Sequence, residues 1–590
     1  MVLSFKLLFS SLATVNVALS SATQNQTRYN PALPGWHSDP SCVFVPERDN
    51  TTFCTSSTFR LTPGLPIYVS RDLINWKLIS HALSRKSQYP EYDQSLAQSD
   101  GIWAPTIRYH KGTFYIITIY NNQALGKATG LIFKSTDPYS DCSWSDPIRY
   151  DAKTIDPDIF WDDDGTAYVA AAGTNLQTLD TETGVLGEPR VIWDGTTGIY
   201  LEGPHLYKKD GYYYLLTAEG GSGLNHSVTM ARSTNIWGPY ESHPHNPVLT
   251  NRNTSAYFQN IGHADLFPDA SGNWWSSALA WRSGPAGRNY PMGREMVLTT
   301  VTWPSGAWPT FAPVRGVQSG WPLPPSPSLP GAGPLTSAPD AFDFAPNTSL
   351  PRNLATWGWP DPSAYAISPP GHPHTLRLTP SPASITDGHA NYTAGYDIAN
   401  RTLLLRRQTH TLFEFSIDLS FAPTALDEEA GVTVFLNDVQ NIALGVVMLR
   451  DNATATLAPH LRLLASGIQS NAAAAADDDD AVPAPVVLPM PRAWRGDAVR
   501  LSVRAENETH YAFYAAARAR PADARAVGWA PATVVSGGVG PFTGSLVGVY
   551  ATSNHGNGTA PAYISRWRYH GLGQAVGNGV IVPSDATELS

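Results

Sequence analysis

One short pattern recurs five times in the first half of the chain: a turn containing Gly or Asn leads directly into a strand rich in aromatic residues. The turns are centred on Asn50, Gly112, Gly165, Gly211 and Gly272, at spacings of 62, 53, 46 and 61 residues. Units of this length built from antiparallel hairpins are typical of propeller blades. Five units predict a five-bladed β-propeller over residues 28–320, and an irregular β-sandwich is the alternative at this point.

A second pattern follows three of these turns. A strand runs into a serine, then into a short polar loop, and then to a tryptophan, at Ser70 and Trp76, Ser135 and Trp144, and Ser233 and Trp237. Its recurrence favours a repeated structural unit over chance similarity.

The composition changes after the repeats. Residues 321–340 read WPLPPSPSLPGAGPLTSAPD, a proline-rich stretch that predicts a stiff, extended linker. Beyond it, segments such as LFEFSIDLSF and GVTVFLN alternate apolar and polar residues with the period of a strand. We therefore expect an all-β chain whose second domain, residues 341–572, is a β-sandwich of jelly-roll type. Residues 471–485 are of low complexity and predict a mobile loop.

The charge of the chain limits its partners. Lys and Arg number 39 against 49 Asp and Glu, and only 15% of residues are charged while 11% are aromatic. An acidic chain without a basic run is a poor candidate for binding nucleic acid or an anionic membrane, and we expect neither partner. A weakly charged surface rich in Trp and Tyr suits neutral partners such as sugars.

The first residues indicate export. Residues 1–20 contain one cation, Lys6, then an apolar stretch, then small residues, which predicts a secretory signal peptide; a buried N-terminal helix is the alternative. Ten N-x-Ser/Thr sequons agree with passage through a glycosylation machinery, at Asn25, Asn50, Asn225, Asn253, Asn347, Asn391, Asn400, Asn452, Asn507 and Asn557. We expect a secreted, extracellular glycoprotein of a eukaryote.

Three cysteines are too few for a disulfide framework. Cys42 and Cys54 are close enough in sequence to join one hairpin, which leaves Cys142 free unless it takes one of those partners. No Cys/His cluster indicates zinc.

Three carboxylates stand at the starts of successive predicted blades. They are Asp39 in GWHSDPSC, Asp156 in TIDPDIFW and Glu202 in YLEGPHLY. A propeller brings the inner strands of its blades to one axis, so we expect these side chains to converge. Hydrolysis of a glycosidic bond needs one protonated and one ionised carboxyl, and a third acid can raise the pKa of the first. The nearby acids Asp158, Asp162, Asp163 and Asp164 are interpreted as solvated turn residues.

At these residues the sequence resembles glycoside hydrolase family 43, the five-bladed propeller β-xylosidases and α-L-arabinofuranosidases. The resemblance rests on HSDPS, GIWAP, IDPDIFWDDDG, EGPHLY, GHADLF and GRE, and extends into the second domain. It implies that Asp39 is the general base, Glu202 the general acid and Asp156 the residue that tunes and orients the acid. It also implies inversion at the anomeric carbon, with the Asp39 and Glu202 carboxyls about 6.5–9.5 Å apart.

The same resemblance implies a sugar pocket. Arg294 matches an arginine that contacts the sugar, against the alternative of a surface ion pair with Glu295. Phe59 and Trp103 match aromatic walls, against ordinary core packing, and Phe542 of the second domain matches a residue of a loop that closes the pocket.

No cofactor is required for this chemistry. His263 matches a histidine near the propeller axis, where some relatives hold Ca²⁺ or another ion. A structural Ca²⁺ near His263 is therefore one expectation, and a hydrogen-bonded core histidine is the other.

The leading hypothesis is an exo-acting enzyme that removes terminal α-L-arabinofuranosyl residues from arabinoxylan or arabinan of plant cell walls. The sequence favours it modestly over β-xylosidase, or both activities, acting on xylo-oligosaccharides, because His37 and Ser38 replace the Asn-Pro that precedes Asp39 in many xylosidases of the family. Two further hypotheses are a retaining, sucrose-type hydrolase, disfavoured by Gly203 after Glu202, and a non-catalytic carbohydrate-binding propeller.

Overall fold

The computed structural model describes residues 27–584 except 96, 124, 322, 324–325, 327, 387–400, 452–454, 468–480 and 539–540. The predicted signal peptide, the sequons at Asn25, Asn391, Asn400 and Asn452, and most of the low-complexity segment lie outside these residues. Within them, no helix combines the length and the apolar character that crossing a membrane requires.

The described residues are almost entirely strands and loops. The strands of the first unit, in chain order, are β1 Thr27–Tyr29, β2 Ser41–Val45, β3 Thr51–Thr55, β4 Leu61–Thr62, β5 Gly64–Ser70, β6 Lys77–Leu83, β7 Gly101–His110, β8 Thr113–Asn122, β9 Lys127–Ser135, β10 Ile148–Tyr150, β11 Asp158–Trp161, β12 Ala167–Ala171, β13 Asn175–Thr178, β14 Arg190–Val191, β15 Glu202–Lys209, β16 Tyr212–Glu219, β17 Ser227–Ser233, β18 Glu241–Ser242, β19 Phe258–Pro268, β20 Trp274–Arg282, β21 Glu295–Thr302, β22 Thr310–Phe311 and β23 Val317–Ser319.

These strands form five four-stranded antiparallel sheets: β2-β3-β5-β6, β7-β8-β9-β10, β11-β12-β13-β14, β15-β16-β17-β18 and β19-β20-β21-β22. Each of the five turns singled out in the sequence joins the first strand of a sheet to its second. Gly112 and Gly211 have φ of 86° and 80°, a conformation that L-residues avoid and that such tight turns require.

The serine of the second pattern ends the third strand of its sheet. The hydroxyls of Ser70, Ser135 and Ser233 accept backbone N–H groups two or three residues further on, at 2.8–3.1 Å. Such side-chain to backbone bonds turn the chain sharply, and the tryptophan that follows then packs against the sheets. Trp76 and Trp144 are fully buried there.

The first strands of the five sheets lie side by side around one axis. Neighbouring first strands are linked by the hydrogen bonds Ile107 N to Ser41 Oγ (3.1 Å), Thr106 Oγ1 to Pro157 O (2.9 Å), Leu206 N to Asp158 Oδ2 (2.8 Å), Leu266 N to Tyr207 OH (2.8 Å) and Ser41 Oγ to Asp265 Oδ2 (2.7 Å). The last of these returns from β19 to β2, so the ring of strands is closed.

The second unit contains two stacked sheets. Its strands are β24 Asp340–Phe342, β25 Thr356–Trp357, β26 Tyr365–Ile367, β27 Leu376–Leu378, β28 Thr402–Arg407, β29 Leu412–Phe421, β30 Glu429–Phe435, β31 Asn441–Arg450, β32 Leu457–Ser466, β33 Val486–Pro489, β34 Val499–Ala505, β35 His510–Ala517, β36 Arg525–Pro531, β37 Leu546–Thr552, β38 Ala562–Gly577 and β39 Val580–Pro583. One sheet contains β24, β26-β27-β38-β29-β34-β35-β36 and β39, and the other is β28-β37-β30-β31-β32-β33.

The core of this unit lies between the two sheets. Phe413, Phe415 and Ile417 of β29 face Val432 and Val434 of β30, with the two-residue period that the sequence predicted. The all-β fold class and the C-terminal β-sandwich are thus confirmed. The helical elements of the described residues are short 3₁₀ turns at Pro46–Arg48, Lys86–Gln88, Pro90–Gln94, Asp141–Ser143, Pro362–Ala364, Arg492–Trp494, Pro521–Asp523 and Ala532–Val535.

The described residues of the proline-rich segment 321–340 pack along the first sheet. Lys77 Nζ donates hydrogen bonds to the carbonyl oxygens of Leu329 (3.1 Å) and Gly331 (2.7 Å), and the Leu329 side chain is buried. Further along, β25 pairs with β4 of the first unit. The two units therefore share a continuous hydrogen-bonded junction.

Cys42 and Cys54 form a disulfide across the β2–β3 pair, and Cys142 is free and exposed. Of the two pairings that the sequence left open, the structure has the hairpin pairing.

Candidate active site

Each of the five sheets has a residue of left-handed backbone conformation at an equivalent position, either within its first strand or two residues before that strand. The residues and their φ values are Asp39 (51°), Ala104 (42°), Asp156 (58°), Gly203 (51°) and His263 (45°). Four of the five precede a proline, and in β7, β15 and β19 the position coincides with a β-bulge. Residues other than glycine seldom adopt such φ values, and this strain is concentrated at functional sites. Here it turns side chains from several sheets toward one end of the axis.

Asp39 is held by groups from three directions. The Ser57 hydroxyl donates a hydrogen bond of 2.6 Å to Oδ2, while His263 Nδ1 and Arg294 Nη1 lie 3.3 and 3.4 Å from Oδ1. Ser57 Oγ also accepts the backbone N–H of Ala104 at 2.7 Å. These contacts fix the Asp39 carboxylate in one orientation. The residue is buried, with 7% of its surface exposed.

Asp156 and Glu202 lie on neighbouring sheets and are joined through the backbone. Gly203 N donates a hydrogen bond of 3.0 Å to Asp156 Oδ2, which places the residue after Glu202 directly against Asp156. Gly203 has positive φ, and a Cβ there would meet the His263 ring at 3.0 Å. Only glycine gives this close approach without a shift of the ring, so the glycine after Glu202 has a structural reason.

Both carboxyl groups are harder to ionise than in water. Burial, and then the charge of Asp39, raise the pKa of Asp156 to about 7. Burial, and then the charge of Asp156, raise the pKa of Glu202 to about 7. The sequence interpretation made Asp156 the cause of the raised pKa of Glu202; in the structure burial is the larger cause and the Asp156 charge the second. At neutral pH the carboxyl groups of Asp156 and Glu202 therefore still hold a proton that can be given to a substrate.

Aromatic rings form one wall of the site. Phe59 lies 5.6 Å from Trp103 and 6.3 Å from Phe542 between ring centroids, and the Phe59 and Phe542 rings are within 5° of parallel. The Arg294 guanidinium lies 4.8 Å from the centroid of the Phe542 ring. Trp103 and Phe542 remain partly exposed, whereas Phe59 is buried.

The second unit supplies part of this wall. The Ser38 hydroxyl, next to Asp39, donates a hydrogen bond to the backbone oxygen of Phe542. Gln98 Nε2 donates another to Thr543 Oγ1 at 2.5 Å. The loop containing Phe542 is thus attached to the first unit at two successive residues.

Arg294 contacts Asp39 and not its neighbour Glu295. Glu295 is paired with Arg282 at 2.5 Å and accepts the backbone N–H of Gly35. The alternative of a surface ion pair between Arg294 and Glu295 is therefore wrong.

All the site residues named from the sequence occupy this one end of the axis: Asp39, Asp156, Glu202, Arg294, Phe59, Trp103, Phe542 and His263. Sequence reasoning missed Ser57 and misjudged Asp158, which it took for a solvated turn residue. Asp158 is fully buried and pairs with Arg108 at 2.8 Å. The repeated triplets Asp-Pro-Ser, Ala-Pro-Thr, Asp-Pro-Asp and Gly-Pro-His, each at the start of a first strand, are the signal that would have revealed it.

His263 lies beside Asp39 at this end of the axis. Its Nδ1 is 3.3 Å from Asp39 Oδ1, and burial lowers the pKa of the imidazole. In the described part of the chain, no three His, Cys, Asp or Glu side chains are grouped so that they could hold a metal ion.

Comparison with known proteins agrees with this geometry. Residues 29–309 match the family described as "Glycosyl hydrolases family 43", and residues 342–570 match the "Beta xylosidase C-terminal Concanavalin A-like domain". A non-reducing end α-L-arabinofuranosidase of Bacteroides ovatus is 33% identical over 567 residues, covering 94% of this chain and 96% of its own. The chain belongs to glycoside hydrolase family 43.

Other family 43 proteins are similar along most of the chain. A xylosidase/arabinosidase of Butyrivibrio fibrisolvens is 33% identical over 455 residues, which is 73% of this chain and 82% of that protein. A solved structure of a family 43 protein from Bacillus licheniformis superposes with a TM-score of 0.76 at 28% identity, covering 92% of this chain and 100% of that one.

Membership of family 43 makes the chain a glycoside hydrolase, as the sequence predicted, and carbohydrate is its substrate class. The hypotheses of a sucrose-type hydrolase and of a non-catalytic binding propeller are set aside by the same match.

Proposed function

We propose that this enzyme is an exo-acting, inverting glycosidase that removes terminal α-L-arabinofuranosyl residues from arabinoxylan or arabinan. The observation that carries the proposal is the convergence of Asp39, Asp156 and Glu202 beside one aromatic wall. In the proposed reaction Glu202 gives its proton to the glycosidic oxygen as the bond to the anomeric carbon breaks. A water molecule attacks that carbon from the opposite face, and Asp39 takes the proton that the water loses.

The role of Glu202 as acid is supported by its environment. A general acid has to carry its proton at the working pH and give it up during bond cleavage. Partial burial and the neighbouring Asp156 keep the pKa of Glu202 near 7, which meets both conditions. Asp156 also accepts the N–H of Gly203, so it fixes the start of the strand that carries the acid.

The role of Asp39 as base is supported by its contacts. Ser57 and Arg294 each hold one of its oxygens, and this orients the carboxylate. A base that activates water gains most from a fixed orientation, because the attacking oxygen has to lie in line with the breaking bond.

Removal of terminal residues is supported by the closure of the pocket. Phe542 reaches in from the second unit and faces Phe59, so the aromatic wall continues across the junction. A sugar seated there has its C–H faces against rings. On the open side Tyr200, two residues before Glu202, is 55% exposed and its hydroxyl lies 2.6 Å from Thr154 Oγ1. We assign the Tyr200 ring to the side of the site that holds the leaving group, because the general acid Glu202 has to lie beside the departing glycosidic oxygen.

A second candidate activity is β-xylosidase. The names of the relatives include both sugars, and the second unit matches a domain described from β-xylosidases. The two replacements that favoured arabinose differ in position. His37 is buried, with its ring nitrogens 3.0 Å from Gly35 O and 2.9 Å from the Tyr68 hydroxyl. Ser38 holds the Phe542 loop, so it is the one that shapes the pocket wall.

The roles of acid and base are tested by the variants Glu202→Ala and Asp39→Ala on two substrates. An arabinofuranoside of a nitrophenol needs little help from an acid, whereas an arabinoxylan oligosaccharide needs it fully. We expect Glu202→Ala to lose about 10²–10⁴-fold in kcat on the oligosaccharide and far less on the nitrophenyl glycoside. Asp39→Ala should lose activity on both, and the exposed Asp163→Ala on neither. Equal losses of Glu202→Ala on both substrates would contradict its role.

The sugar preference is tested by one assay with several substrates. The release of arabinose and xylose from singly and doubly substituted arabinoxylan, arabinan and xylobiose is compared under identical conditions. Faster release of arabinose supports the proposal; faster cleavage of xylobiose replaces it with β-xylosidase.

We propose further that the enzyme is secreted and glycosylated. The Cys42–Cys54 disulfide is typical of oxidising compartments. Six sequon asparagines of the described residues are exposed: Asn50, Asn225, Asn253, Asn347, Asn507 and Asn557. Expression of the full chain in a eukaryotic host should place active enzyme in the medium, with a mass that falls on treatment with an N-glycosidase. Retention in the cells with no change of mass would contradict this.

A further inference from the structure

Arg108 lies beneath the catalytic carboxylates and contacts one residue from each of the other four sheets. Its Nη1 lies 2.8 Å from Asp265 Oδ2 and 3.3 Å from Ser41 Oγ. Its Nη2 lies 2.8 Å from Asp158 Oδ1 and 3.0 Å from His205 Nδ1. One guanidinium on β7 thus connects β2, β11, β15 and β19.

These four partners are in register with the active site. Ser41, Asp158, His205 and Asp265 each stand two positions after a residue of left-handed conformation, namely Asp39, Asp156, Gly203 and His263. Contacts of Arg108 therefore act next to four of the five left-handed positions that direct the catalytic side chains. If the partners of Arg108 moved, the backbone two residues away would move with them and would displace the catalytic carboxylates.

The two buried carboxylates that contact Arg108 require a positive charge beside them. Asp158 and Asp265 are fully buried, and a buried carboxylate without a partner is strongly destabilising. Burial by itself would raise the pKa of Asp265, but the charge of Arg108 outweighs it and holds that pKa well below the usual range. The planar guanidinium meets both carboxylates at once, which a single ammonium cannot do as well.

Arg108 also contacts His205. Its Nη2 lies 3.0 Å from the Nδ1 of His205, and the same Nδ1 lies 3.5 Å from Asp158 Oδ1. The ring centroid of His205 lies 6.1 Å from that of His263, which contacts Asp39. The cation thereby orients a second layer of side chains directly below the site.

We propose that Arg108 is the axial cation of this enzyme: it neutralises the buried carboxylates of the first strands, and it positions the catalytic carboxylates without a metal ion. Arg108 touches no substrate and is a positioning residue. About a sixth of its side chain remains exposed, so a small ion can reach the position from the solvent. The proposal depends on the proposed function only for the reaction used to measure activity.

The first test uses the wild-type enzyme with EDTA and with added Ca²⁺. We expect kcat and the thermal melting temperature to be the same in EDTA, in buffer and in Ca²⁺. Loss of activity in EDTA that Ca²⁺ restores would overturn the proposal, because the axial charge would then be a metal.

The second test uses the variants Arg108→Ala and Arg108→Lys. We expect Arg108→Ala to lose about 10²-fold in kcat, as misplacement of catalytic groups does, with KM changed less than threefold. Millimolar guanidinium chloride should restore part of the kcat, and the same concentration of sodium chloride should not. Arg108→Lys should lie between Arg108→Ala and the wild type.

The control is Arg190→Ala, which removes an exposed arginine from the outermost strand of the third sheet and should change neither kcat nor its response to guanidinium. Wild-type kcat in Arg108→Ala, or a loss that guanidinium leaves unchanged while the variant still melts cooperatively, would overturn the proposal. If Arg108→Ala does not fold, Arg108→Lys with wild-type kcat would overturn it and a reduced kcat with unchanged KM would support it. Failure of the proposed function is recognised separately, as activity retained by Glu202→Ala and Asp39→Ala.

Discussion

The hydroxyl of Ser57 donates a hydrogen bond of 2.6 Å to Oδ2 of Asp39. The same oxygen accepts the backbone N–H of Ala104 at 2.7 Å, so the orientation of the donor is set by the neighbouring sheet. Asp39 is thus aligned by a group that lies 18 residues away in sequence and belongs to the loop after β3.

Replacing Ser57 by alanine should slow the reaction without preventing substrate binding. A hydrogen bond to a charged group is worth about 1.5–3 kcal/mol, so we expect kcat to fall roughly 10–100-fold with little change in KM. The neighbouring Ser56→Ala is the matched control, because Ser56 is equally buried and its hydroxyl makes no hydrogen bond. A Ser57→Ala enzyme as fast as Ser56→Ala would show that this bond does not orient the base.

The activity should decline on the alkaline side of neutral pH. Burial and the charge of Asp156 raise the pKa of Glu202 to about 7, and the acid is effective only while it holds its proton. We therefore expect kcat/KM on an oligosaccharide to fall tenfold per pH unit above about 7. The variant Asp156→Asn removes a negative neighbour, so Glu202 loses its proton more easily and the alkaline limb of the pH–rate profile should move to lower pH. An alkaline limb that does not move would show that Asp156 does not raise the pKa of Glu202.

Asp156→Asn should also make the folded protein more stable at alkaline pH. The pKa of Asp156 is about 7 in the folded state, above its usual value, so the folded state holds its proton more tightly than the unfolded chain. The stability that this gives is complete below the unfolded pKa and is lost as the pH rises through about 7. Asparagine cannot ionise, so we expect a gain on the order of 2–4 kcal/mol in the free energy of unfolding at pH 8 and almost none at pH 4. Chemical denaturation at the two pH values measures it, and an equal gain at both would contradict the assignment.

Phe542→Ala should weaken substrate binding more than it slows the chemistry. Its ring completes the aromatic wall opposite Phe59 and covers Arg294, but it does not contact a carboxylate. We expect KM to rise about tenfold, in line with roughly 1–1.5 kcal/mol for one aromatic contact, and kcat to change less. Trp529→Ala, which removes an exposed ring from the same unit, is the control. An unchanged KM would show that the second unit does not form part of the pocket.

Much of the fold could be predicted because its signals are local. The turns at Gly112 and Gly211 need a particular backbone conformation, and the alternation in β29 shows which face of that strand is buried. The packing of segment 321–340 could not be predicted, because its partner Lys77 is about 250 residues away and nothing within the segment indicates it. The composition of this stretch carries no information on its contacts.

The catalytic carboxylates were found because each stands in an unusual apolar or proline-rich context. Asp158 was misjudged because it is close in sequence to three acids of a turn. Its partners Arg108 and Leu206, which make its burial tolerable, belong to other sheets. Ser57 carries no local signal, because its role depends on where the strain at Asp39 and Ala104 directs the neighbouring groups. Long-range partners of this kind become visible only when the sheets are assembled.

In the proposed mechanism Asp39 and Glu202 act on opposite faces of the sugar with water between them. Proton NMR of the first sugar released from an α-L-arabinofuranoside, recorded before mutarotation, tests this mechanism most directly. We expect the β-anomer to be formed first. First formation of the α-anomer would require a covalent intermediate and would contradict it.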